Sequence, residues 1–477
     1  RGNRSSWAGP MGRTISPFRS TKRWLLPALV AVVVAPATPA RATTWQLEPI
    51  TASEGVAGLH DLSFDAGGHG LLSWSGALRG RTPAIFGGLA SRDPAGGWQR
   101  PPDLAGVEPQ SAEIHLYGQS RALLVGREMP SSSSKRRLVV AEGSSDGGFG
   151  PLGVLDDYTA DAWSASDDLG QAIVAWTNER SPFVRVSERL PGQRLSAPRD
   201  LAVSSTAAVA MNARGDRVLA FLAGKRRFGA RVRLAGGEWG PIARFGHVAS
   251  TRGLSLSAVV ARNGRIVVTW GAAGRECGVS VRDGGGRWRT RRLERRCGPS
   301  AVGPHAAPVV AVADSGGGTY VAWTGRTRNR RRVVRFARVG PGTPHHAIEL
   351  SRQPSAVLDD VAAGPDRAVA VTWSAARQTR RRPVTAATFA AVRRRGGAFD
   401  VDRLTPATVT VTRGSRVAFQ PLTGQAVVAI PYLVGRTVAV GAAVAAPVPP
   451  PSAPSSRKPT PRSPASSHGQ AAAPSRS

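Results

Sequence analysis

Three Asp-Asp pairs are the first places in this chain where side chains of the right type stand close enough to do chemistry: Asp156-Asp157, Asp167-Asp168 and Asp359-Asp360. Splitting a glycosidic bond takes two carboxyls facing that bond, and in some enzymes a tyrosine serves as the nucleophile. Only the first pair has such company. Asp157, Tyr158 and Asp161 therefore form the candidate catalytic group. Adjacent aspartates at the start of a strand also make turns, by accepting hydrogen bonds from nearby backbone. Turn formation is the reading adopted for all three pairs. The histidines are scattered apart from His345-His346, and no HExxH or other metal-ligand spacing occurs, so neither a metal nor a cofactor is expected. Gly316-Gly317-Gly318 lacks the Lys-Ser or Lys-Thr and the helix that a phosphate loop needs.

The basic residues are patterned. The chain has 477 residues, with 64 Lys and Arg against 31 Asp and Glu and a net charge of +33. Lys22, Lys135, Lys225 and Lys458 are the lysines, so nearly all the positive charge is arginine, an excess that a GC-rich genome would also favour. Small basic groups recur at Arg79 and Arg81, Lys135-Arg136-Arg137, Arg180, Lys225-Arg226-Arg227 and Arg275. They continue at Arg330-Arg331-Arg332, Arg380-Arg381-Arg382 and Arg436. Guanidinium groups suit carboxylate, sulfate and phosphate oxygens, which they can grip with two hydrogen bonds at once.

The spacing of these groups follows a repeat that must position them. A short apolar run returns eight times, as LLSW ending at Trp74, ALLVG at Gly126, AIVAW at Trp176 and RVLAF at Phe221. It continues as IVVTW ending at Trp270, YVAW at Trp323, VAVTW at Trp373 and VVAI at Ile430. The period is about 50 residues, the length of one supersecondary unit in a repeat protein. A smaller apolar segment precedes each run, an alternating segment such as Val279-Ser280-Val281-Arg282 follows it, and a glycine turn then opens onto an aromatic, as in Gly285-Gly286-Arg287-Trp288. Four strands per unit with no helical period is the blade of a β-propeller. Fully apolar second strands match a sheet covered on both faces, and alternating third strands match an outer edge near water. An array of β-sandwiches would need units of about 100 residues. The expectation is an all-β propeller of four-stranded blades spanning residues 43–446, with eight blades, or seven if the weak unit at Ala122–Gly126 is discounted. Trp45-Gln46-Leu47 resembles the start of a fourth strand and is expected to complete the last blade. In such a ring every basic group lies between second and third strands, so the charges would add on one face.

The ends differ from the middle. Residues 1–42 and 447–477 contain no acidic residue, so the folded part carries all of the negative charge and still keeps a basic excess. Met11 is followed by Arg13, Arg19, Lys22 and Arg23, an apolar run from Trp24 to Ala35, and Ala40-Arg41-Ala42. That is the order of a secretory signal peptide, with residues 1–10 upstream of the start and cleavage expected after Ala42. The apolar run is shorter than the roughly 20 residues that span a bilayer. No membrane span is expected in the mature chain, and the location expected is secreted or cell-surface. Residues 447–477 are rich in Pro, Ser and Ala and are expected to be a disordered basic tail.

A run ending in Trp, then a strand, a glycine turn and an aromatic resembles the secreted bacterial propellers related to sialidases and their Asp-box repeats. Ser144-Ser145-Asp146-Gly147-Gly148-Phe149 comes nearest to an Asp box, one residue short of the family's spacing. Asp93 and Asp283 sit at similar hairpins, and the Phe-Arg-Ile-Pro motif of sialidases is absent. The resemblance implies a scaffold, and a scaffold does not confer chemistry. Cys277 and Cys297 flank the Gly284-Gly285-Gly286 turn almost symmetrically, which places them opposite one another across a hairpin and makes a disulfide the expectation for an exported chain. The function expected is a monomeric, non-enzymatic binding propeller whose partner is an anionic polysaccharide, a cell-wall polymer or a surface protein. Nucleic acid is disfavoured by export, and the alternative is a sialidase-like or other glycan-cleaving hydrolase.

Overall fold

The computed structural model describes residues 45–445 except 54–55, 78–84, 100–108, 129–134, 252, 273, 299–308, 341–345, 354, 380–381, 395–396, 406–409, 412–413 and 435–436. The signal-peptide and tail segments, and Arg79, Arg81, Arg380, Arg381 and Arg436, lie outside the described residues. Eight antiparallel sheets form the blades, seven of them with four strands paired in chain order. The fifth blade is representative: Leu254–Val260, Ile266–Ala272, Cys277–Arg282 and Arg289–Glu294 form a simple meander. First strands of consecutive blades touch one another around the whole ring, so they form its inner wall.

The eighth sheet closes the circle. Trp45–Ser53 pairs with Thr437–Ala445, from Trp45 opposite Ala445 to Ser53 opposite Val438, and so supplies the outer strand of the last blade. An open edge there would leave a row of unpaired amides and carbonyls. The unit at Ala122–Gly126 is an ordinary blade strand, Arg121–Glu128, with Ala122 to Val125 buried, which makes the ring eight-bladed. Among the described residues the helical content is one short 3-10 turn, Pro365–Arg367.

The core sits between blades. Ile266–Ala272 is buried at every position, because both of its faces meet a neighbouring blade, while Arg289–Glu294 at the rim is largely exposed. Clusters of buried side chains join the fourth blade to the fifth around Phe228, Phe245 and Trp270, and the sixth to the seventh around Phe336 and Trp373. The recurrent tryptophans at positions 74, 176, 270, 323 and 373 are all buried in such seams. The third strands are more enclosed than their alternation suggests. Ser280 is fully buried and shares a hydrogen bond of 2.9 Å with Thr290 on the outer strand, so a polar residue there satisfies itself inside the sheet.

Candidate functional site

Because every blade is the same meander, all the loops joining second to third strands leave one end of the ring. Lys135, Arg136, Arg180, Lys225, Arg226, Arg227, Arg275, Arg330 and Arg331 are exposed there, and Arg137 and Arg332 are half-buried. Arg330 adopts a left-handed conformation at the tip of the loop, held by the Thr327 hydroxyl, which accepts from the Arg331 amide at 3.2 Å. Among the described residues, Arg226, Arg227, Arg330 and Arg331 have no acidic partner, whereas Arg136 lies within electrostatic reach of Asp161 and Arg137 pairs with Asp157 at 3.1 Å. The opposite end carries the loops that join first to second strands, with Asp65, Asp167, Asp168, Asp216, Asp314 and Asp366. At that end Arg214 pairs with Asp216 and Arg265 with Asp283, while Arg262 and Arg367 stand exposed in the same set of loops.

The group around Tyr158 is engaged residue by residue. Asp157 is exposed and held by Arg137. The Tyr158 ring lies between Lys135, 4.8 Å away, and Arg180, 3.4 Å away. Asp161 pairs with Arg127 at 3.1 Å, and burial raises its pKa despite that partner. Asp156 has a different task. It accepts from the Trp176 indole at 2.9 Å, Asn178 at 2.6 Å, the Tyr158 amide at 2.8 Å and Arg185 at 3.1 Å. Asp167 accepts from the amides of Leu169 and Gln171, as a turn former does. At the Asp-box-like hairpin, Asp146 accepts from the Ser144 hydroxyl and the Gly148 amide, which lowers its pKa. Cys277 and Cys297 are bonded to each other, with Cα atoms 5.9 Å apart.

The third pair, Asp359-Asp360, departs from the turn reading. It lies within the inner strand Ala356–Ala363 of the seventh blade, with Asp359 buried and Asp360 half-buried, and borders the central channel. The register explains why. In each blade one inner-strand residue stands opposite the residue just before the end of the apolar run. These residues are Asp61, Glu113, Trp163, Ala208, Ser257, Val310, Asp360 and Arg416 in chain order. Seven of these eight equivalent positions line a single central cavity of about 220 Å³, and Asp61 stands beside it within electrostatic reach of Arg416. The charged members come from blades seven, eight, one and two and form one arc. The opposite arc is Trp163, alanine, serine and valine.

Three of the carboxylates staple consecutive inner strands. Asp61 accepts from the amide of Ile114 in the next blade at 2.8 Å, and Asp360 from that of Val417 at 3.0 Å. Glu113 accepts from the amide and hydroxyl of Ser164, and that hydroxyl also meets His115 Nε2 at 2.6 Å. Burial pushes Glu113 up to about 7, with the Asp61 charge adding to the push and the Ser164 hydrogen bonds opposing it. Burial and the Arg189 charge bring His115 down to about 4, so it is neutral at physiological pH. Burial raises Asp61 and Asp360, and takes Asp359 to about 6 against the pull of Ser374, Ser415 and Arg416. Carboxyls held near neutrality can exchange protons or meet a ligand's charge.

No family model matches the chain, and no curated protein does. Among solved structures it is similar to an ulvan lyase of a polysaccharide lyase family, at 10% identity over 83% of this chain and 95% of the lyase, with a TM-score of 0.47. It is also similar to the β-propeller domain of the Trilobed protease from Pyrococcus furiosus, at 9% identity over 69% and 95%, with a TM-score of 0.41. A third is the six-bladed fucose-binding lectin of Aleuria aurantia, at 13% identity over 62% and 97%, with a TM-score of 0.35. By their names the lyase and the lectin act on or bind sugars and the third belongs to a protease, and at such identities the likeness is one of fold.

Asp61, Glu113, His115, Trp163, Ser164 and Arg416 were not singled out by residue type or spacing. One signal could have found three of them. Aligning the inner strands on the ends of the apolar runs puts Asp61, Glu113, Trp163 and Asp360 in a single column, 13 residues before each end, whereas Arg416 lies 14 residues before Ile430 and joins them only through its pairing with Ala429. Charged side chains in that column are costly to bury and so mark a site.

Proposed function

We propose that this chain is an exported, non-enzymatic binding propeller that holds anionic polysaccharide or cell-wall polymer on its basic face. The observation that carries the reading is the set of exposed, unpartnered cations on the loops between second and third strands, Arg226, Arg227, Arg330 and Arg331 among them. Their separation across one face suits a polymer that repeats its charge, and a ring of like charge raises the local concentration of an anionic chain. The signal-like N-terminus and the Pro-rich basic tail fit a role outside the cell. Asp157, Tyr158 and Asp161 are each taken up by a neighbouring cation, so the hydrolase alternative gains nothing from them.

The test is an array of sulfated, uronic and teichoic-type polymers probed with the purified protein at several salt concentrations. Binding should fall steeply with salt, since screening acts over about 10 Å at 0.1 M. Changing Lys225, Arg226, Arg227, Arg330 and Arg331 together to serine should remove most of the binding and leave the melting temperature in place, because exposed loop charges hold little stability. Unchanged binding by that variant, or binding insensitive to salt, would overturn the proposal.

A further inference from the structure

The central cavity has a chemistry of its own, opposite in sign to the basic face. Asp61, Asp360 and one oxygen of Glu113 are occupied by amides of the next blade, as described above. Two features remain without a structural task. Asp359 is almost completely buried, its Oδ2 accepts from Ser374 and from Ser415 at 2.9 Å, and its Oδ1 has no hydrogen-bond partner, the Gly414 backbone favouring the charged carboxylate from nearby. Both hydrogen bonds to Glu113 land on Oε2, so Oε1 is left over. Asp359 and Glu113 line the same cavity as the indole of Trp163, and Arg416 is the single cation among its lining residues.

We propose that this cavity binds a compact organic ammonium ion, its charge set towards the Asp359 carboxyl and against Glu113 and its body against the Trp163 ring. Carboxyls that outnumber their counter-ion in a confined space are costly to ionise, and a ligand cation removes that cost. An indole face adds attraction for a cation that is already partly dehydrated. The available volume exceeds the roughly 150 Å³ that accommodates benzene, so a ring the size of one hexosamine fits. A metal ion is a poorer match, since no three His, Cys, Asp or Glu among the described residues are grouped at metal-binding distance.

Two sugars of equal size separate charge from shape: glucosamine carries an ammonium where glucose carries a hydroxyl. Titration calorimetry on the purified protein should show glucosamine and methylammonium binding, with glucose at least about tenfold weaker. Asp359→Asn should cost glucosamine about tenfold or more, and Trp163→Leu several-fold, about what a cation–π contact supplies. In the unaltered protein the ammonium should displace protons from Asp359 and Glu113, so the heat near pH 6.5 should change with the buffer's ionisation enthalpy. Affinity should fall as pH drops from about 7.5 to about 5, as both carboxyls take up protons. The other groups around the pair are Arg416 for Asp359, with Asp360 next to it in sequence and Asp61 acting on Asp360, and Asp61, Arg127 and the neutral His115 for Glu113, with Arg127 itself held by Asp161. Equal affinity for glucose and glucosamine would overturn the proposal, as would no amine binding up to about 50 mM. So would an affinity unchanged by Asp359→Asn. Should that variant fail to fold, a flat pH dependence in the unaltered protein overturns it equally.

Discussion

Asp156→Ala set beside Asp157→Ala tests whether one carboxylate clamps two blades together. Asp156 ends the outer strand Gly153–Asp156 of the second blade and accepts from Trp176 and Arg185 in the third. Glu294 repeats the arrangement between the fifth and sixth blades, accepting from Trp323 at 3.5 Å and from Arg335. Removing the Asp156 carboxylate leaves the buried Trp176 N–H without an acceptor, at about 1–3 kcal/mol. Arg185 is a third exposed, so its ion pair adds only about 0.5 kcal/mol after solvent screening. The Tyr158 amide and Asn178 lie nearer to water and can find it. The expected loss is about 2–3 kcal/mol. Asp157, exposed and paired with Arg137 alone, should cost less than about 0.5 kcal/mol. Urea unfolding followed by tryptophan fluorescence measures both. The hydrogen bonds from Asn178, Trp176 and Tyr158 and the Arg185 charge outweigh burial and hold Asp156 below the usual carboxylate range. Its contribution is therefore complete above the unfolded value near pH 3.9 and is lost as pH falls through the lower folded value. Equal losses for the two variants, or an Asp156→Ala loss under about 0.5 kcal/mol, would refute the clamp.

Three further outcomes are expected. Gly88→Ala and Gly278→Ala would place a Cβ 2.2 Å from the Trp74 ring and 2.3 Å from the Trp270 ring, so each should destabilise by about 2–3 kcal/mol, while Gly285→Ala, with open space around it, should change the unfolding midpoint little. Replacing Cys277 and Cys297 by serine should cost about 3 kcal/mol through the unfolded chain, given their separation of 20 residues, and should lower the melting temperature measurably. Glu113 is pushed up to about 7 in the folded protein, so the folded state holds its proton more tightly and stability is lost as pH rises from about 4.3 towards 7; Asp359, raised to about 6, adds to the slope below that pH, so Glu113→Gln should flatten it most between about 6 and 7, and unchanged melting curves there would contradict it.

Local pattern made much of this protein legible in its sequence. Strand identity, the four-strand unit and its repetition are written in short runs such as IVVTW at Ile266–Trp270 and in the glycine turns between them, because both depend on neighbours a few residues apart. Closure by Trp45 was legible for the same reason, since its segment resembles the start of other outer strands. The basic loops could be placed because a repeat fixes which end of the ring each loop leaves. Side-chain partnership was not legible. Nothing in the spelling of Asp156-Asp157 separates a buried clamp from an exposed charge, since the difference lies in Trp176 of the next blade. The central arc depended on tertiary structure most of all. Asp360 and Arg416 are some 300 residues from Asp61 and Glu113, and only ring closure makes the eighth blade a neighbour of the first. Register decided the rest. A bulge between Leu358 and Asp360 adds one residue to the inner strand, so Asp359 and Asp360 both reach the cavity where regular alternation would have sent one of them away.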